Sequence, residues 1–385
     1  MFYRVFFFIV FFFSFSFGYE LKELDRYQNL NKHITILYDT KEQYTIQNLP
    51  KEQFQTTNNL ALGYVKGAIW SKLELTNETK MTLLLINPKI NINTIDISVF
   101  EGEDLIATHK LGNYRSITHN AISSKFANFS LTMEPNKRYT IISKIKSKSV
   151  IDANWFVSHE NIFLSFIIYD ILFWGVFLGF ILSLIIYNLS VFGSLKEYTY
   201  VAYACHGLTA LLFQFATNGI FYQFGLYENL LIFNSVSWIF AQLSIISVLL
   251  FATLFLNTKK TMPQIHTIIL GLFFVVFLMM VLFLYSFFNV EVINLVRNIA
   301  KVLSMLILLF VLGIAIIGVK KKIQGAKYYL AGHGVFLVAV IYQQFGGIIN
   351  NETNLISVYM VAIGILFDVV FLSLSLGQNL KSLKY

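Results

Sequence analysis

Two spacings of apolar residues divide this chain. Between residues 163 and 378, apolar side chains form seven runs, 163–189, 198–218, 231–256, 265–288, 294–318, 327–349 and 355–378, separated only by short polar breaks. Crossing a bilayer core as a helix takes about 20 consecutive apolar residues, and each run supplies them. Lipid offers no partner to a backbone amide, so runs of this length are helices rather than buried strands. The pattern predicts a seven-helix transmembrane bundle.

Residues 19–160 carry the other spacing, a period of two. In Ala68–Thr76, Ile69, Ser71, Leu73 and Leu75 fall on one face, and Trp70, Lys72 and Glu74 on the other. In 94–100, Ile95, Ile97 and Val99 oppose Asp96 and Ser98. Similar alternation marks 82–86, 104–110, 126–131, 138–145 and 152–158. Turn formers such as Asn87-Pro88, Glu101-Gly102, Gly112-Asn113 and Glu134-Pro135-Asn136 separate these stretches. Many short strands at this spacing predict an antiparallel β-sandwich. At about 140 residues it can bury a core without disulfides.

Residues 1–18 combine Arg4, an apolar run and then Ser14, Ser16 and Gly18, the form of a secretory signal peptide that exports the sandwich. An uncleaved anchor is the competing reading. Composition agrees with a membrane class. Only 13% of residues are charged, against about 25% in an average soluble domain, and mean hydropathy is +0.63. The net charge of +8 does not point to nucleic acid, because much of it lies in loops on one side of the bundle. Lys196, Lys259-Lys260, Lys320-Lys321-Lys322, Lys327, Lys381 and Lys384 share that side, while the opposite loops carry Glu228, Glu291 and Glu352. The positive-inside rule then places the N-terminal domain outside the membrane and the C-terminus in the cytoplasm. Residues 379–385 form a short cytoplasmic tail.

Ionisable groups inside spanning helices are costly and face the bundle interior, so each is a candidate site. Their depths predict two polar layers. The outer one holds Asp170, Arg297, Lys301, Gln343 and Gln344, and the inner one His206, His333 and Asp368. The competing reading makes them interhelical contacts that set the balance between bundle states rather than ligand contacts. Several chemistries are excluded. The seventh helix has no lysine for a retinal Schiff base, and the chain lacks His-Glu-x-x-His, Gly-x-Ser-x-Gly and phosphate-binding glycine loops. His109, His119 and His159 show no metal spacing, and Cys205 is the only cysteine. No catalytic residue, metal or cofactor is predicted, and an enzyme is not expected.

In the sandwich, Trp70 with Lys72 and Glu74 forms a candidate ligand face, because an exposed indole can stack on the apolar face of a sugar ring. Packing of that face against a loop or a second sheet is the alternative. Trp155, in phase with Ala153 and Val157, reads as core.

The order Ile36-Leu37-Tyr38-Asp39, Tyr44-Thr45-Ile46, Gly67-Ala68-Ile69-Trp70-Ser71-Lys72-Leu73-Glu74-Leu75-Thr76-Asn77 and Ile95-Asp96-Ile97-Ser98-Val99-Phe100 resembles a known extracellular domain. It is the second type found in bacterial seven-transmembrane receptors with diverse intracellular signalling modules. Tyr169 through Gly179 and Tyr198-Thr199-Tyr200-Val201-Ala202-Tyr203 resemble that family's first two membrane helices. The resemblance implies a jelly-roll-like sandwich binding a small periplasmic ligand such as a carbohydrate. It also implies a bundle that relays the event inward. Family members continue into a coiled coil and an output module, so output here is expected from a histidine kinase or diguanylate cyclase acting in trans, with a homodimer as one assembly. A transporter or channel with an accessory sandwich is the alternative, disfavoured because no internal repeat is visible.

Overall fold

The computed structural model describes residues 28–57, 59–76, 80–225, 233–288, 290–350 and 355–383. The predicted signal peptide lies outside them.

Among the described residues, twelve strands build the N-terminal domain. They are β1 (Gln28–Asn29), β2 (Ile34–Asp39), β3 (Gln55–Thr56), β4 (Ala61–Gly63), β5 (Ala68–Thr76) and β6 (Met81–Asn87), followed by β7 (Thr94–Glu101), β8 (Asp104–Leu111), β9 (Ala127–Met133), β10 (Arg138–Lys146), β11 (Ile151–Asp152) and β12 (Phe156–Ser158). A six-stranded sheet runs β3-β2-β5-β10-β7-β8 and faces a four-stranded sheet, β1-β12-β6-β9, with β11-β4 as a small extra ladder. All pairings are antiparallel. The core between the sheets takes alternate residues from each strand. Ile69, Leu73, Ile95, Ile97, Val99, Ile141 and Ile145 come from one sheet, and Leu85, Phe129, Leu131 and Val157 from the other. Each such side chain contributes about 1.5–3 kcal/mol when fully buried. Trp155 is inside this core, edge-to-face with Phe129 at 5.7 Å.

The outer face of the larger sheet is not bare. Leu37, Trp70 and Ile142 are covered by Tyr44, Ile46, Leu49 and Phe54 from the segment between β2 and β3. Both faces of central strand β5 are therefore buried at Trp70, which explains why a period-two strand carries apolar residues on each side.

Seven long helices follow among the described residues: α1 (Glu160–Leu195), α2 (Tyr198–Thr217), α3 (Phe233–Phe255), α4 (Pro263–Phe288), α5 (Val290–Lys320), α6 (Ala326–Asn350) and α7 (Leu355–Leu383). Among the described residues, five are long and apolar enough to cross a membrane unaided: α1, α3, α4, α5 and α7. The other two are the polar ones. α2 carries His206 and Gln214, both buried, and α6 carries Lys327, His333 and Gln343. A helix enclosed by protein tolerates polar side chains that lipid would reject.

α1 extends six residues past the expected end. Asn188, Ser190 and Ser194 hydrogen-bond to carbonyls four residues back, and the helix stops where Lys196 turns left-handed at φ 58°. α7 likewise runs through 379–383, read from sequence as tail, because no proline or glycine interrupts it there.

Candidate functional site: a docked sensor and an intramembrane cluster

The sandwich is fastened to the outer end of the bundle by polar contacts that are buried rather than solvated. Lys125, in the loop before β9, sends its ammonium into the start of α1. There it lies 2.7 Å from one oxygen of Asp170 and 2.9 Å from the other. Both side chains are almost fully buried, at 1% and 4% exposure. Asp170 also accepts from Trp174 Nε1 at 3.2 Å and from the Tyr359 hydroxyl of α7 at 2.7 Å. The indole of Trp174 and the ring of Phe126 each lie 5.4 Å from the Lys125 ammonium. Burial pushes the Lys125 ammonium below its ordinary range, and the Asp170 charge and hydrogen bond oppose that shift.

Neighbouring contacts widen the joint. The Lys125 amide donates to Gln223 Oε1 at 2.7 Å, and Tyr222 in the turn after α2 donates to the Arg115 carbonyl at 2.9 Å. Asn91 donates to the Thr217 carbonyl at the end of α2 at 2.9 Å. An apolar patch of Leu84, Ile86, Ile122 and Phe126 from the sandwich packs on Phe163 and Ile167 of α1. A second anchor lies on α5, where Arg297, 1% exposed, donates to the Lys148 carbonyl and stands 5.3 Å from the Tyr64 ring.

These contacts correct the expected outer layer. Asp170 does not bond Arg297 or Lys301; its partners are Lys125, Trp174 and Tyr359. Arg297 does not snorkel into solvent; it engages the sandwich. Lys301 sits 5.9 Å from the same Tyr64 ring, Gln343 is exposed, and the Gln344 side chain lies outside the described residues. Placing charge by depth missed the domain docked above, which offers nearer partners than the opposite helices do.

The inner residues do meet. His206 Nε2 of α2 donates to Asp368 Oδ2 of α7 at 2.9 Å, and His206 Nδ1 faces Ser247 Oγ of α3 at 3.4 Å. His333 Nδ1 of α6 stops 4.0 Å from Asp368 Oδ1. All three are at most 2% exposed. Gly332 makes this approach possible, since a Cβ there would meet Phe371 Cβ at 2.8 Å and Asp368 Oδ1 at 3.2 Å. Two further tethers hold α7 beside the cluster: Tyr203 to the Val369 carbonyl at 3.0 Å and Asn188 to Ser373 at 3.3 Å.

The proposed ligand face does not survive as drawn. Trp70 is 4% exposed, its Nε1 bonds Asp39 Oδ2 at 3.2 Å, and the Lys144 ammonium lies 4.8 Å from its ring. It is a packing residue and cannot stack on a sugar. Lys72 and Glu74 pair with each other at 2.6 Å near the surface. That bond, with the Lys72 and Arg138 charges, holds the Glu74 carboxyl below its ordinary range despite an opposing effect of burial. A cleft of about 630 Å³ lies elsewhere, between Thr82, Leu84 and Ser130 of the smaller sheet and His159–Ile162 at the start of α1. No group of three or more metal-ligating side chains occurs among the described residues.

A sandwich seated on a bundle of apolar helices through buried contacts is the architecture of a membrane protein with an N-terminal β domain. Sequence comparison identifies the family. The profile described as 7TM diverse intracellular signalling matches residues 170–379, and that described as 7TMR-DISM extracellular 2 matches residues 31–158. The chain belongs to this family of seven-transmembrane receptors. No curated protein matches it.

Proposed function

We propose that this receptor binds a small ligand at the sandwich and passes the event through α1 and α7 to a separate signalling protein at the inner face. One observation carries the proposal: Asp170 of α1 is held at once by Lys125 of the sandwich and by Tyr359 of α7. Any ligand that shifts the loop bearing Lys125 must move, or break with, two membrane helices together. α7 then extends past the cluster at Asp368 to the opposite end of the bundle. A ligand acts only through differential affinity for two such arrangements. The sandwich lies in the periplasm and the C-terminal end of α7 in the cytoplasm, as the lysine distribution supports. A carbohydrate remains the ligand class to test first, on the strength of the family. With Trp70 buried, the open cleft beside His159–Ile162 is the place to look for it. The partner class is a histidine kinase or diguanylate cyclase.

Two measurements test this reading. Thermal shift of the full chain against a saccharide panel should find a ligand that raises the unfolding midpoint. In-cell crosslinking from a tag after Tyr385 should recover the kinase or cyclase. Solute uptake into proteoliposomes, with no partner recovered, would replace relay with transport.

A further inference from the structure

Asp368 uses one carboxylate oxygen and leaves the other idle. Oδ2 accepts from His206 of α2, while the buried Oδ1 has no hydrogen-bond partner and points toward His333 of α6. His333 is only partly satisfied: the Leu308 backbone of α5 interacts with its ring, yet its Nε2 makes no hydrogen bond, and the ring stacks on Tyr329, whose buried hydroxyl is also without a partner. Buried polar atoms without partners are costly, and in a native fold each calls for an explanation. Here three such atoms lie on two helices around one carboxylate.

We propose that Asp368 is a two-position latch, bonded to His206 of α2 in the arrangement described above and to His333 of α6 in a second one. The distances suit an exchange. The occupied contact is 2.9 Å and the vacant one 4.0 Å, so a turn of the Asp368 carboxylate that carries Oδ1 about 1 Å toward His333 makes one bond while breaking the other. The surroundings permit it. Gly332 and Gly364 already bring α6 and α7 into close contact, with Ala339 Cβ only 2.7 Å from where a Gly364 Cβ would stand, so the carboxylate reaches His333 without either helix moving closer. The groups facing Asp368 are His206 and Tyr203 from α2 and His333 and Tyr329 from α6. No lysine or arginine pairs with it among the described residues, so no stronger cation pins the carboxylate to one side. Exchange keeps one charge-assisted bond in either position, which makes two arrangements close in energy rather than one dominant.

This inference rests on the relay reading for its purpose, but its test needs neither ligand nor partner. The full chain, labelled with ¹⁵N-histidine and reconstituted in lipid, would be studied by NMR. In the unmodified protein, His206 should show a carboxylate-bonded ring, and both His206 and His333 should be exchange-broadened. Replacing His206→Gln should move the His333 resonance to the carboxylate-bonded position. Replacing His333→Gln should leave His206 bonded and abolish its exchange broadening. If His206→Gln fails to fold, the His333→Gln spectrum alone decides. A His333 signal unmoved by His206→Gln, or His206 broadening that survives His333→Gln, overturns the latch. Either failure would leave the receptor reading intact, because ligand-induced stabilisation and partner recovery are measured separately.

Discussion

Lys125 and Asp170 stand 45 residues apart in sequence, one in a sandwich loop and the other in the first membrane helix, and form an ion pair 2.7 Å long with almost no solvent contact. Removing one partner from such a pair leaves an uncompensated buried charge and costs about 3–5 kcal/mol. Replacing both by apolar side chains of similar size is often neutral or stabilising. Lys125→Met should therefore lower the unfolding midpoint of the full chain in detergent, and Lys125→Met combined with Asp170→Leu should recover most of the loss. The double variant should nevertheless lose ligand-dependent output, since stability would return without the joint. A double variant as unstable as the single one would mean that Asp170 is held mainly by Tyr359.

A second prediction concerns acid. Asp39 accepts bonds from Trp70 Nε1 and from the amides of Gln43 (2.9 Å) and Tyr44 (3.1 Å). Burial alone would raise its pKa, but these bonds and the Lys144 charge outweigh it, so the carboxyl lies below its ordinary value of 3.8. The folded-state value is the lower one. Its contribution is therefore complete above the unfolded value and is lost as pH falls through the folded one. Trp70 fluorescence should stay native at pH 5 and change on titration below about pH 4. Asp39→Asn should remove that acid dependence and cost about 1–3 kcal/mol at neutral pH, because the buried indole N–H and two amides lose an ionised acceptor.

What the sequence made legible follows from the range of the forces involved. Alternation over β5, β7 and β10 is local, and those strands begin and end within a residue or two of the pattern. His206, His333 and Asp368 were visible because a charge inside an apolar run is conspicuous. Lys125 was not. In Ser123-Ser124-Lys125-Phe126 it resembles any solvated loop lysine, and only the docking of the sandwich turns it inward. Trp70 misled for a related reason: parity correctly separated it from Ile69, yet parity says nothing of what covers the second face. The apolar residues Tyr44, Ile46, Leu49 and Phe54 in an otherwise polar loop were the available signal.

Gly332 gives a third test, aimed at the helices. A methyl group there would stand 2.8 Å from Phe371 Cβ and 3.2 Å from Asp368 Oδ1, closer than packed atoms tolerate. Gly332→Ala should cost about 1–3 kcal/mol of bundle stability by overpacking. Gly334, whose nearest neighbour would be Leu312 Cδ1 at 3.9 Å, is the matched control. Gly334→Ala should be neutral or slightly stabilising, since alanine is the better helix former by about 1 kcal/mol. Thermal unfolding of the two variants side by side reads the difference, and equal midpoints would mean that α6 and α7 are not in direct contact at this level.

Tyr222 offers the mildest way to loosen the sandwich without opening a charge. Its hydroxyl donates to the Arg115 carbonyl at 2.9 Å, while burial raises its pKa to about 12, so it remains a neutral donor at any working pH. Its ring is 5% exposed, between the turn after α2 and the sandwich loop. Tyr222→Phe keeps that packing and removes only the hydroxyl, with its bond to Arg115 and its longer contact to the Gly112 carbonyl at 3.4 Å, a change of about 1 kcal/mol. So small a loss should leave the global unfolding midpoint nearly unchanged, yet local opening at the joint should become several-fold more frequent. Hydrogen exchange reads this directly: amides of 112–126 should exchange about fivefold faster in Tyr222→Phe, and those of β5 and β10 at the unmodified rate. Faster exchange throughout the sandwich would place Tyr222 in the stability of the domain itself. Unchanged exchange at 112–126 would leave Lys125–Asp170 as the bond that governs docking.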